Sequence, residues 1–356
     1  MSDSIIIVGP TPPPVHGASR VTARVVELVK AAAGPGQRVL HVSTSGRGWT
    51  KSARYHLSRI AAHASAGVAM VRRRVAGSVT VYIAGAGGFG LAYQAALIVF
   101  ARALGCRSVF HHHSYSYLTG RRSWMIQLIC LVQRADDVQI MLTEHMADAF
   151  AAIYSTDAAL VPVSNAFAVH ASQEPASDRR TDVVSLVHVS NLSREKGTDL
   201  VLDAVGELRE RGIECTLTLI GRVREPAIAS KIEMTERLHP GCVAHLGEQD
   251  PAGVARALDR SHLMIFPSVY RNEAQPMVVL EALSRGVPAL VSRRGSMVTM
   301  VPPDWQLDPD ESAADGVQRM LKTDWSDLSR CARGRFDDMR SDESALLNAL
   351  GLGRPA

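Results

Sequence analysis

Short runs of β-branched and aliphatic residues alternate along the chain with longer stretches whose apolar positions recur at helical spacing. SIIIVGP (residues 4–10) predicts a buried strand that runs into a Pro/Gly loop, and SRVTARVVELVKAA (19–32) predicts the helix after it. RVLHVST (38–44), SVTVYIAG (78–85), RSVFHHH (107–113) and DVQIMLT (137–143) predict four further short strands. The pattern stops near Val163 and resumes at VVSLVHVS (183–190), followed by CTLTLIG (215–221), CVAHLGE (242–248), HLMIFPS (262–268) and PALVS (288–292). Between the two series lies HASQEPASDRRTD (170–182), polar and strand-free. Strand–helix alternation implies parallel strands in a doubly wound sheet. The expected architecture is therefore α/β, with two Rossmann-like domains facing a central cleft. The boundaries read as 1–168, a linker over 169–182, 183–340, and a C-terminal helix or tail over 341–356. Ligands of such sheets bind at the carboxyl ends of the strands.

Composition narrows the class. At 46% hydrophobic and 21% charged residues over 356 positions, the chain is long enough for two ordinary globular domains. Cysteines at 106, 130, 215, 242 and 331 show no CxxC spacing, and their odd number argues against a disulfide framework. The start, MSDSIIIVGP, lacks a basic segment and a long apolar run, so no signal peptide is expected. The apolar stretch 91–104 is broken by Arg102 and falls short of the roughly 20 residues a membrane span needs. A cytoplasmic protein is expected. The net charge of +4 divides unevenly: residues 1–176 hold 16 Lys+Arg against 8 Asp+Glu, and residues 177–356 hold 23 against 27. A basic half points to an anionic partner. With 5% aromatics and no recognition motif, nucleic acid is not expected, and a membrane surface fits better.

Three motifs look chemical and are set aside. GAGGFG (85–90) matches GxGxxG between a strand and a helix, yet no acidic residue occurs between Glu27 and Asp136 to take a ribose hydroxyl. It reads as a tight strand-to-helix turn. The triplet His111–His113 ends a strand, where successive side chains face opposite ways and cannot converge on one metal. DPD (308–310) reads as a solvated turn. No metal and no cofactor are expected.

Three other stretches fit together. GPTPPPVHGASRV (9–21) leaves the first strand and enters a helix at Ser19, with Gly17 permitting close approach of a ligand to the helix start. An ordinary βα loop fits this stretch equally well. HVSNLSREKGTDLVLDAV (188–205) ends a strand, carries Arg194 and Lys196, and begins a helix near Thr198, an arrangement suited to phosphates. EAQPMVVLEALSRGVPALV (273–291) places Glu273 in a loop and Glu281 inside a helix that begins near Pro276. Glu281 is flanked by Val278, Val279, Leu280 and Ala282, and burying it without a partner would be costly. Sugar hydroxyls would supply that partner.

At these residues the chain resembles the retaining GT-B glycosyltransferases of family 4. Their E-x7-E followed by a helix and a GxPV strand reads here as Glu273, Glu281 and RGVPALVS. Their GRLxxxKG reads as SNLSREKG, their LIGxG as LIGRV, and their PSxxEG as FPSVYRNEA. The resemblance covers most of 183–295 and is weaker in the first half, where the opening loop, the HHHS strand end and VPVSNAF correspond. It implies that Glu281 holds the nucleotide ribose and that Glu273 faces the donor sugar beside the backbone of Ala274, Gln275 and Pro276. It implies that Lys196 binds the diphosphate, that the Gly17 loop approaches the same phosphates, and that His113 lies near the reacting carbon and the acceptor. Asn191 stands where the family carries Arg, with Arg194 as a candidate substitute.

The implied activity is metal-independent, retaining transfer from a UDP- or GDP-linked sugar to a glycan acceptor in bacterial polysaccharide or glycoconjugate synthesis. Two alternatives stay open at this point: a nucleotide-sugar 2-epimerase and a non-catalytic nucleotide-sugar-binding subunit. Residues 51–77 are basic and acid-free, with Ile60, Val68, Val71 and Val75 at roughly helical spacing, and GRRSW (120–124) adds a second basic patch. Such a helix suits an anionic membrane face, which implies a lipid-linked acceptor and a peripheral position at the inner membrane. A solvated surface helix fits the same pattern.

Overall fold

The computed structural model describes residues 3–45, 53–120, 122–170, 183–340 and 343–353. They fall into two compact units, Met1–Ala168 with Ser341–Ala356, and Val169–Arg340. The stretch read as a linker lies outside the described residues from 171 to 182.

The N-terminal unit runs β1 (Ser4–Gly9), α1 (Gly17–Ala32), β2 (Arg38–Ser43), α2 (Ala53–Arg74), β3 (Val79–Ala84), α3 (Gly90–Ala103), β4 (Arg107–His111), α4 (Trp124–Val132), β5 (Val138–Met141), α5 (Glu144–Ala151) and β6 (Ala159–Pro162). The six strands pair in parallel in the order β2-β1-β3-β4-β5-β6. Ile6 is opposite both Leu40 and Val81, and all six residues of β1 are buried. A central parallel strand is covered on both faces, which is why it reads as an unbroken apolar run. The pattern stops where β6 ends, but β6 itself does not show in the sequence: it has four residues, ends in Pro162, and lies at the sheet edge, where a missing N–H is tolerated.

In the C-terminal unit the elements are β7 (Val184–Val189), α6 (Thr198–Glu210), β8 (Cys215–Ile220), α7 (Pro226–Leu238), β9 (Val243–His245), α8 (Pro251–Asp259), β10 (Leu263–Phe266), α9 (Met277–Ser284), β11 (Ala289–Ser292), α10 (Met297–Met300), β12 (Gln306–Leu307), α11 (Ala313–Met320) and α12 (Trp325–Met339). Its parallel order is β12-β11-β10-β7-β8-β9, so the winding reverses between β7 and β10. The last helix, α13 (Glu343–Ala349), returns to the N-terminal unit, where Glu343 accepts from Arg24 of α1 at 2.6 Å. Among the described residues no helix is long and apolar enough to cross a membrane.

Candidate active site

The reversal of strand order selects the site. Where two neighbouring parallel strands send their crossovers to opposite faces, the loops at their carboxyl ends separate and leave a crevice. In the C-terminal unit the two loops are residues 190–197 after β7 and 267–276 after β10. The first carries Lys196 and the second Glu273. Lys196 Nζ donates to Glu273 Oε2 at 2.5 Å, and Ser268 Oγ donates to the same oxygen at 2.8 Å. The Lys196 ammonium also sits 4.5 Å from the Tyr270 ring centre and 5.8 Å from that of Phe266. Glu273 is 8% exposed, so its charge is compensated inside the protein rather than by bulk water.

Local backbone explains why Lys196 is held there. Ser193 caps a single 3₁₀ turn (Arg194–Lys196) by accepting from the Lys196 amide at 3.3 Å. Gly197 then takes φ +73°, and a Cβ on it would stand 2.7 Å from Pro267 Cγ and collide with the Pro267 carbonyl. Only glycine lets the two loops press together so closely. The amide of Val269 donates to Glu195 O at 2.9 Å and ties the same loops. Gly221, at φ +129°, lies against Ser190, and Leu192 exchanges backbone bonds of 2.9 Å with Arg222 and Arg224. These contacts fix the β7 loop from its other side.

Ala274, Gln275 and Pro276 are all buried. The Ala274 carbonyl accepts from Ser296 N at 3.0 Å, which anchors the segment to the loop after β11. Pro276 is the N-cap of α9 rather than its first helical residue, and it supplies no capping side chain. The first amides of α9 therefore face the loop with the positive end of the helix. Glu281 lies in the second turn of α9, half-buried rather than enclosed, although its neighbours Val279, Leu280 and Ala282 are completely buried. A helix shows each neighbour a different face, so flanking apolar residues do not enclose a side chain. Asn191 and Arg194 are both exposed, and the Arg194 amide donates to Glu225 at 3.1 Å. The site thus joins Lys196 and Glu273 directly. Ser268, Tyr270 and Phe266 belong to it too; FPSVY held them in sequence, but nothing in that motif told which of them would meet the lysine.

In the N-terminal unit the order reverses between β1 and β3. The helix after β1 begins at Gly17, two residues before the expected Ser19. His16 and Ser19 form a reciprocal cap: Ser19 N donates to His16 Nδ1 at 3.2 Å, and His16 N donates to Ser19 Oγ at 2.9 Å. GAGGFG is the turn between β3 and α3; a side chain on Gly85 would meet the His111 carbonyl and the Phe110 ring.

The histidine triplet splits between two faces. His111 and His113 have ring centres 4.1 Å apart, and His111 Nδ1 lies 2.6 Å from Tyr82 OH. His112 turns the other way, bonded to Tyr117 OH and, at 2.8 Å, to Gln139. Burial, and then the neighbouring His112 and His16, depress the His113 pKa to about 3, so it is neutral at physiological pH. Its Nε2 is enclosed without a hydrogen-bond partner among the described residues. Among the described residues no cluster of three His, Cys, Asp or Glu side chains could hold a metal ion. DPD is an exposed turn in which Asp308 pairs with Arg293 at 2.9 Å.

Known proteins share this fold. Residues 184–322 match the family model described as glycosyl transferases group 1. No curated protein matches the chain in sequence. Among solved structures, sucrose-phosphate synthase from Thermosynechococcus elongatus superposes with a TM-score of 0.67 at 15% identity, covering 97% of each chain. HepE from Anabaena, solved with UDP and glucose, gives 0.64 at 15% identity over 98% of this chain and 100% of its own. A glycosyltransferase from Rickettsia africae gives 0.68 at 12% identity over 99% and 97%. Residues 184–322 thus match the group 1 glycosyl transferases, and the chain has the two-sheet GT-B fold of these glycosyltransferase structures.

Proposed function

We propose that this protein moves a sugar from a nucleoside diphosphate sugar to a lipid-linked glycan acceptor, with retention at the anomeric carbon and without a metal ion. The observation that carries the reading is the Lys196 ammonium against Glu273, at the carboxyl ends of the two strands where the winding reverses. In this reading Lys196 exchanges its carboxylate partner for the donor diphosphate, and the amides at the start of α9 meet the same phosphates. Negative charge grows on the leaving diphosphate as the glycosidic bond breaks, and a preorganised cation beside it lowers the barrier. Freed from Lys196, Glu273 takes the donor sugar hydroxyls, and Glu281 takes the ribose. The neutral His113 offers its ring nitrogen to the acceptor side. HepE, which shares the fold, was solved with UDP and glucose, and this favours a uridine donor over a guanosine one. The sequence segments after β1, β3 and β4 hold histidines and glycines and no carboxylate, which favours transfer over 2-epimerisation.

The test is saturation-transfer NMR with UDP- and GDP-sugars on wild type and Glu281→Ala. One nucleotide sugar should bind wild type and lose at least tenfold in affinity in the variant. A folded wild type that binds none of them overturns the reading.

A further inference from the structure

Helices α2 and α3 enclose between them an apolar groove of about 450 Å³. Ile60, Val68 and Val71 line it from α2, and Tyr93, Leu97 and Phe100 from α3. Ile60, Val68, Val71 and Phe100 are 40–51% exposed, an apolar concentration that a soluble surface ordinarily covers. From Ile60 to Val71 the groove runs about 16 Å at the α-helical rise. That is about half of a bilayer's ~30 Å hydrocarbon core, the depth spanned by one lipid chain.

Its polar groups narrow the occupant. His63 is 7% exposed and lines the groove; its Nδ1 lies 2.7 Å from the Arg59 carbonyl and so carries the proton. His63 Nε2 is then a buried acceptor without a partner among the described residues. At the sheet's carboxyl edge, where α3 begins, the Arg59 guanidinium comes within 3.3 Å of the position a Gly90 Cβ would take. Arg59 donates to Tyr55 OH at 3.1 Å and has no carboxylate partner among the described residues, and its Nε is buried without a hydrogen bond. No acidic residue occurs in sequence between Glu27 and Asp136 to neutralise it. A guanidinium beside the first amides of a helix matches a phosphate. Arg72, Arg73 and Arg74 lie in the last turn of α2, about 20 Å from Arg59, and take no part in the phosphate site.

We propose that the α2–α3 groove holds the hydrocarbon chain of a phosphate-headed lipid, with the phosphate at Arg59 and the start of α3. The proposal rests on the reading of a lipid-linked acceptor and assigns that lipid a binding site.

Methyl NMR on the full chain tests it, with dodecyl phosphate added below its micelle concentration and with dodecyl maltoside and inorganic phosphate as controls. Dodecyl phosphate should give saturable shifts at the methyls of Ile60, Val68, Val71 and Leu97. Affinity should rise about fourfold per methylene from octyl to dodecyl phosphate. Inorganic phosphate should leave those methyls unmoved. Gly67 is buried in the groove wall, and a Cβ there would touch the Phe100 ring at 3.4 Å, so Gly67→Leu fills the space and should weaken binding at least tenfold. Val71→Gln gives the same readout should Gly67→Leu fail to fold. Arg59→Gln should weaken dodecyl phosphate and leave dodecyl maltoside unchanged.

Absent shifts, or wild-type affinity in a folded groove variant, overturn the proposal. So does a concentration-dependent dimer that Gly67→Leu dissociates, because a second copy would then be the occupant. Nucleotide-sugar binding measured on the same samples keeps the two readings apart: its loss in wild type sinks sugar transfer and leaves the lipid result standing.

Discussion

Lys196→Met removes the charge next to Glu273 and keeps most of the stem that packs on Tyr270 and Phe266. At 2.5 Å and an effective dielectric of about 20, the gross attraction between Lys196 and Glu273 is about 7 kcal/mol. Desolvation of both groups cancels much of this, and breaking a buried pair from one side costs about 3–5 kcal/mol. The side chains retain 19% and 10% exposure, so screening trims the expected loss to about 2–3 kcal/mol. The two single variants should differ. Glu273 sits on a short stem in a buried loop and, among the described residues, keeps only Ser268 as a side-chain donor when Lys196 is gone. Lys196, on a four-carbon stem, can swing towards water when Glu273→Gln removes its partner, so that change should cost about 1 kcal/mol. The double variant should be more stable than the sum of the singles predicts, by about 1–2 kcal/mol of coupling. Hydrogen exchange on peptides from β7 and β10 under increasing urea reports the C-terminal unit separately. A Lys196→Met loss below about 0.5 kcal/mol with no coupling would refute the buried ion pair. Transfer assays on the same variant should show kcat lowered by about 10²–10³, the usual effect of removing one group that stabilises transition-state charge.

Gly197→Ala should destabilise the C-terminal unit by more than about 2 kcal/mol, because the left-handed backbone costs about 1–2 kcal/mol for a residue with a Cβ and that Cβ meets Pro267; urea unfolding measures it, and a neutral change would show that the loops are not pressed together. Acid should destabilise the protein through its buried histidines. Burial holds His112 and His188 at pKa values of about 4 against 6.5 in the unfolded chain, so the unfolded state binds more protons between those values. This stability is complete above pH 6.5 and is lost as pH falls towards 4, by about 3 kcal/mol for His112 alone at 1.36 kcal/mol per pH unit. His112→Phe should flatten that slope in a denaturation series from pH 7 to 4.5. Sugar transfer should proceed unchanged in EDTA; a tenfold loss restored by Mg²⁺ would overturn metal independence.

The elements and their α/β class followed from short-range pattern, because a parallel strand covered on both faces needs an unbroken apolar run and a crossover helix needs apolar positions at 3.6-residue spacing. Ser4–Gly9 is such a strand, Val79–Ala84 and Val184–Val189 are otherwise apolar runs interrupted by Thr80 and by Ser185 and His188, and the Lys196, Glu273 and Glu281 motifs stood in sequence at recognisable spacing. The short edge strands β6 and β12 escaped, since four and two residues carry too little pattern. Strand order was not legible, because it depends on which crossover helices cover which face, and it is the reversal between β7 and β10 that brings residues 196 and 273 into one crevice. The exposure of Glu281 and the start of α1 at Gly17 were set by helix geometry and by the His16–Ser19 cap. The groove between α2 and α3 was equally a tertiary matter. Its apolar and basic residues were visible on each helix, but a concave surface exists only where two helices lie side by side.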